Sequence, residues 1–324
     1  MHQNDVDFKK NALRIGAALL LFIALFYTLI GYFYWTFDIM LVDALGKKIG
    51  DVISQILYGV LYLAIFMVPA FMHGFLSRKD TKEIQVKRSL AFPDTIIMIF
   101  AAISIIFSAA YINSWLTIIF DMTTDVSYGD SPTTIVGFLL LTFKIAIVPA
   151  VCEEFLFRKT ILRSLLPYGE GFAIVASAVM FGIMHQNILQ VFYAVMAGVV
   201  LGFVYAKTRS YMCVFLIHFI NNFISVLQEA VITNMPEPYA SFIAAIIVAT
   251  VFILGIISLV ILMVKEKNKS DSFDTGSFEK ILLPDSNYQK KTTTFNCAKK
   301  LFLSPCVLIF TILCVALCAY TAFI

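Results

Sequence analysis

Glu153 and Glu154 stand side by side in Val-Pro-Ala-Val-Cys-Glu-Glu-Phe-Leu-Phe-Arg (148–158), at the end of an otherwise apolar run. A carboxylate at membrane depth costs about 2.5–3.5 kcal/mol at a helix centre on insertion scales. It is retained where it pairs or where it works. Glu154 and Arg158 are four residues apart, so they share a helical face and can form an ion pair, a supporting role. Glu153 is turned by about 100° from its neighbour and has no obvious local partner. A carboxylate in that position can act as a general base or acid. The alternative is that both glutamates snorkel to the inner surface. Pro149 lies four residues before Glu153 and cannot donate to the carbonyl of Ile145, so the helix is expected to kink where the carboxylate must be aimed.

Two of the four histidines also lie in apolar runs. His185 closes Phe181-Gly-Ile-Met-His185, with Phe181 one turn back and able to fix the ring by packing. An intramembrane histidine is more often an interhelical hydrogen-bonding residue than a catalyst. His218 opens His218-Phe-Ile-Asn-Asn222. Its i, i+4 partner Asn222 shares its face, and two adjacent donors on one stripe suit an oxyanion site. The competing reading is polar glue between helices. Asn221 lies on another face and is unassigned. Lys144 is expected to pair with an acid or a carbonyl, or to face water, with no catalytic role.

The elements that must carry these groups are long and apolar. The chain of 324 residues is 60% hydrophobic and 14% charged, against about 25% charged in soluble domains. The fold class is all-α: a polytopic helical membrane protein of about nine transmembrane helices around an intramembrane catalytic cavity. The candidate spans are 12–35, 53–76, 95–120, 133–157, 171–187, 188–206, 211–231, 239–264 and 301–323. A soluble α-helical protein would need polar faces that these runs lack. The fifth span is short, which leaves it tilted, continued from the interface, or ending inside the bundle. On the sixth, Ala194, Gly198, Gly202 and Ala206 recur every four residues, a stripe that lets another backbone approach closely.

Lysine and arginine recur before the first span and after the second, fourth, sixth and eighth. Acids alone follow the third (Asp121, Asp125, Asp130) and the seventh (Glu229, Glu237). Lys47 and Lys48 break the pattern after the first. The alternation predicts a cytoplasmic N-terminus and an external C-terminus in a cell membrane, expected to be bacterial. No cleavable signal is evident. The six cysteines show no metal-ligand spacing and read as small apolar residues. The net charge of +3 reflects topology rather than nucleic-acid binding. The expected organisation is N-terminal helices (1–130), a catalytic core (131–231), and a C-terminal region (232–324) with a cytoplasmic linker at 265–300 and an appended helix. The loop at 77–94 reads as a basic amphipathic surface segment.

Together, Glu153-Glu154-x-x-x-Arg158, Phe181-x-x-x-His185 and His218-x-x-x-Asn222 resemble the signature of the type II CAAX prenyl endopeptidase, or CPBP, family. The resemblance covers roughly 135–226. It implies an intramembrane endopeptidase acting near the C-terminus of a membrane-associated or lipidated protein or peptide. Glu153 would be the base, assisted by His185. His218 and Asn222 would hold the oxyanion. Glu154, Arg158 and Phe181 would support them. The family is often called a metalloprotease, and Glu153, His185 and His218 are the set that zinc would use. No His-Glu-x-x-His helix is present and water activation uses every group without a metal, so no obligate cofactor is inferred. The expected partners are membrane lipid and the substrate. Two other classes remain: a noncatalytic scaffold or bacteriocin-immunity protein retaining the motifs, and an ion-coupled transporter, which would need inverted repeats that the chain lacks. On this topology Glu153 and His218 lie roughly 7–8 Å from the inner side. His185, at the outer end of the fifth span, is expected too deep to meet them unless that helix starts below the membrane plane or tilts strongly.

Overall fold

The computed structural model describes residues 3–77, 92–119, 132–272 and 294–322, which are helical with short connections and contain no strand. The basic loop residues Arg78, Lys79, Lys82, Lys87 and Arg88, the acids Asp121, Asp125 and Asp130, and most of the 265–300 linker lie outside the described residues.

Helix α1 (Gln3–Leu25) runs through a π-helical segment (Phe26–Tyr34) into α2 (Trp35–Leu45). The chain reverses at Gly46, whose φ of 75° suits glycine, and returns as α3 (Lys47–Ser77) packed on α2. Helix α4 (Phe92–Ile119) follows. The next long element is compound: α5 (Ile135–Leu141), a π segment (Thr142–Ile147), α6 (Val148–Glu154), a second π segment (Phe155–Leu162), α7 (Arg163–Leu165) and a 3-10 turn (Leu166–Tyr168). Then come α8 (Glu170–Met184), α9 (Ile188–Thr208), α10 (Tyr211–Asn234), α11 (Tyr239–Ser272), α12 (Thr294–Phe302) and α13 (Pro305–Ala322).

Seven described helical stretches are long and apolar enough to cross a membrane, and α12 and α13 form an eighth candidate bent by 76°. The outer faces leave Ile118, Ile119, Ile135, Phe242 and Met263 exposed. Apolar surface on that scale fits lipid rather than water. The protein is an integral, polytopic helical membrane protein. The count differs from nine because the expected span 171–187 is α8, only 15 residues or about 22 Å long, short of a hydrocarbon core of about 30 Å. Of the expected alternatives for this span, the helix ends inside the bundle, at the polar tip His185-Gln186-Asn187. The linker also differs from expectation at both ends, where α11 continues to Ser272 and α12 starts at Thr294. Lys265 of α11 pairs with Asp94 of α4.

The small-residue stripe on α9 does the packing expected of it. A Cβ on Gly198 would stand 3.0 Å from the Ala178 Cα and 3.2 Å from the Phe181 ring. Helices α8 and α9 therefore close into a tight antiparallel pair. Asn187 caps α9, its side chain accepting from the Leu189 N–H at 2.9 Å. At the other end, Lys207 pairs with Glu170 at 2.6 Å. One contiguous apolar core, including Phe22, Phe66, Ile103, Leu156, Phe157, Met180 and Ile217, surrounds α6 and the tip of α8.

Candidate active site

Helix α6 is bracketed by two π-helical segments, a local irregularity frequent at functional sites, and Pro149 stands in its first turn. The carbonyl of Ile145 cannot receive an α-helical bond from Pro149. The side chain of Asn222, on α10, donates Nδ2–H to that carbonyl at 2.9 Å. A bond across the bundle thus repairs the break beside the carboxylates.

Glu154 and Arg158 are both fully buried, with Nε 3.1 Å from Oε2. The alignment is that of an ion pair, and the Arg158 terminal nitrogens have no hydrogen-bond partner among the described residues. The guanidinium instead lies over the Phe181 ring, 4.6 Å from its centroid. The other oxygen of Glu154 meets His218 Nδ1 at 2.9 Å. Glu154 therefore bridges its helical partner to the histidine of another motif. With Glu154 ionised, Nδ1 carries a proton donated to it, which leaves Nε2 pointing elsewhere.

That second nitrogen faces Glu153. His218 Nε2 lies 3.9 Å from Glu153 Oε2. Glu153 is 4% exposed, and its Oε1 accepts a hydrogen bond from the Tyr62 hydroxyl at 2.6 Å. The expectation that Glu153 lacks a local partner is right for its own helix, but α3 supplies one. Tyr62 is a functional-site residue that the motifs miss. Its signal in the sequence is a hydroxyl within an aromatic stripe, Tyr58, Tyr62 and Phe66, at four-residue spacing.

His185 ends α8 and keeps Nδ1 on the Phe181 carbonyl at 2.9 Å. The Phe181 ring packs edge-on against it with centroids 5.1 Å apart. His185 meets Glu153 in the wall of the same cavity, so it is not too deep to join the carboxylates. Gln186 follows in a left-handed conformation, φ 53°. It is held by the Tyr27 hydroxyl on its Oε1 at 2.6 Å and by Thr321, from α13, on its carbonyl at 3.2 Å.

Glu153, His185, His218 and Asn222 all line one cavity of about 90 Å³. Asn221 and Tyr193 also line it, joined by a 2.8 Å hydrogen bond from Asn221 Nδ2 to the Tyr193 hydroxyl. Asn221 also donates to Asn222 Oδ1 at 3.0 Å. A second cavity of about 180 Å³ shares Glu153 and His185 but is walled by Phe22, Phe26, Tyr58, Tyr62, Phe66, Met184 and Gln186. Lys144 has its ammonium 5.0 Å from the Tyr58 ring centroid, a cation–π contact.

Zinc would draw on Glu153, His185 and His218. Among the described residues no three His, Cys, Asp or Glu side chains are grouped to hold an ion. Nδ1 of His218 is engaged by Glu154 and Nδ1 of His185 by the Phe181 carbonyl, which leaves the Nε2 atom of each ring uncommitted.

Residues 135–224 match the family model for Type II CAAX prenyl endopeptidase Rce1-like. That segment contains all three motifs and excludes Tyr62 and the helices from α11 onward. No curated protein matches the chain, and no solved structure does. The match to the segment that builds this cavity supports membership of the type II CAAX prenyl endopeptidase (CPBP) family.

Proposed function

We propose that the protein is an intramembrane endopeptidase that hydrolyses a peptide bond near the C-terminus of a membrane-associated or lipidated protein or peptide. The observation that carries this reading is the convergence of Glu153, His185, His218 and Asn222, from three separate motifs, on one small polar cavity within an apolar bundle. The family match supports a CAAX-type intramembrane protease.

In this reading a water held by Glu153 and His185 attacks the carbonyl carbon of the scissile peptide. Glu153 takes the water's proton as the new C–O bond forms. The negative charge that develops on the carbonyl oxygen is received by His218 Nε2–H and by the second Nδ2–H of Asn222, the first being committed to Ile145. For Nε2 to donate while Nδ1 donates to Glu154, His218 must be an imidazolium, with Glu154 2.9 Å from Nδ1 and Glu153 3.9 Å from Nε2. The intermediate collapses as the C–N bond breaks, and Glu153 returns its proton to the leaving nitrogen. All of this runs through side chains of the core, residues 131–231.

The test compares the termini of membrane proteins by mass spectrometry in cells carrying wild type, Glu153→Gln or His185→Ala. New C-termini are expected with wild type and absent with both variants, at equal protein levels in the membrane. Identical termini in wild type and Glu153→Gln would refute the reading.

A further inference from the structure

Tyr62 lies on α3, outside the segment matched to the family. Its ring stacks on Phe66 with centroids 4.8 Å apart and interplanar angle 28°, and packs against Tyr58 at 5.8 Å. Tyr34 continues the column beyond Tyr58, and Phe22 beyond Phe66. With the ring held on two sides, the hydroxyl has one direction open to it, and that direction ends on Glu153 Oε1 at 2.6 Å. A phenol bound to a carboxylate is a strong, short, directional contact.

The two oxygens of Glu153 are thereby made unequal. The terminal torsion of a glutamate is soft, so an untethered carboxylate presents either oxygen in turn. Here Oε1 is taken by Tyr62, and Oε2 is the oxygen 3.9 Å from His218 Nε2. Glu153 also stands in the walls of both cavities, and Tyr62 lines the aromatic one. The tyrosine grips the carboxylate from the aromatic side and leaves the other oxygen to the polar side.

We propose that Tyr62 is a positioning residue for Glu153, fixing which carboxylate oxygen faces the reaction cavity. This rests on the reading of Glu153 as the base, and the two can fail separately. The experiment uses the full chain in lipid nanodiscs as wild type, Tyr62→Phe, Tyr62→Leu and Glu153→Gln. Two probes are used: a quenched-fluorescence peptide ending in a farnesylated CAAX sequence, and dicyclohexylcarbodiimide alone, with labelling at Glu153 read by mass spectrometry. Tyr62→Phe keeps the stacking, so thermal stability and KM are expected to stay near wild type while kcat falls about 10- to 100-fold, as misplaced reacting groups do. Labelling at Glu153 is expected to rise severalfold, because Oε1 is released. Tyr62→Leu is expected to lose both stability and turnover. A wild-type kcat or wild-type labelling in Tyr62→Phe overturns the proposal. Cleavage by Glu153→Gln at the wild-type rate overturns the hydrolytic reading instead, and absence of cleavage by any form leaves labelling to decide the role of Tyr62.

Discussion

The side chain of Asn222 donates to the carbonyl of Ile145 at 2.9 Å, across the gap that Pro149 opens in its own helix. The third motif therefore mends a defect in the helix of the first, besides lining the cavity. Asn222→Ala should lower stability by about 1–3 kcal/mol, the effect of stranding a buried carbonyl, and should abolish turnover. Adding Pro149→Ala restores an N–H in the natural place. The double variant should regain most of the stability and none of the activity, as checked by denaturation in detergent alongside peptide cleavage.

Glu154 meets Arg158 and His218 at once, and its loss should be felt in both directions. Glu154→Gln leaves Arg158, fully buried, without its counter-charge, and should cost about 3–5 kcal/mol. Coupling it with Arg158→Met removes the stranded charge and should restore stability. Turnover should not return, since His218 has lost the carboxylate on Nδ1. Unfolding midpoints and kcat measured on the single and double variants separate the two effects.

Close approach of α8 and α9 is what brings His185 to the carboxylates. Gly198→Val drives a side chain into Ala178 and the Phe181 ring, and should destabilise by about 1–3 kcal/mol with a matching loss of activity. Gly171→Ala, on the same helical pair, meets open space within 4 Å and should be neutral or slightly stabilising. Thermal unfolding of the two variants side by side tests this.

Much of the site was legible as local spacing. The pairing of Glu154 with Arg158, the packing of Phe181 on His185, the carbonyl left bare by Pro149 and the close-packing stripe on α9 all follow from i, i+3 and i, i+4 geometry. What spacing could not reveal lies between elements distant in sequence. Tyr62 reaches Glu153 over 91 residues and His218 reaches Glu154 over 64. No helical period connects either pair, and a tyrosine in an aromatic stripe reads as packing until its hydroxyl is seen to have a target. The break between α8 and α9 and the shortness of α8 were legible too, but α8 was still counted as a span although its 15 residues fall short of a bilayer core. Asn222 was expected beside His218 at an oxyanion, and spacing gave no sign that the Ile145 carbonyl takes one of its N–H groups.

Gln186 sits in a left-handed turn next to His185, held by Tyr27 near the start of the chain and by Thr321 near its end. The motifs lie between 153 and 222, yet the turn beside one of their histidines is held by residues far from them in sequence on both sides. A tag, a truncation or a binding event at α13 would therefore pull on the turn beside His185 from 135 residues away.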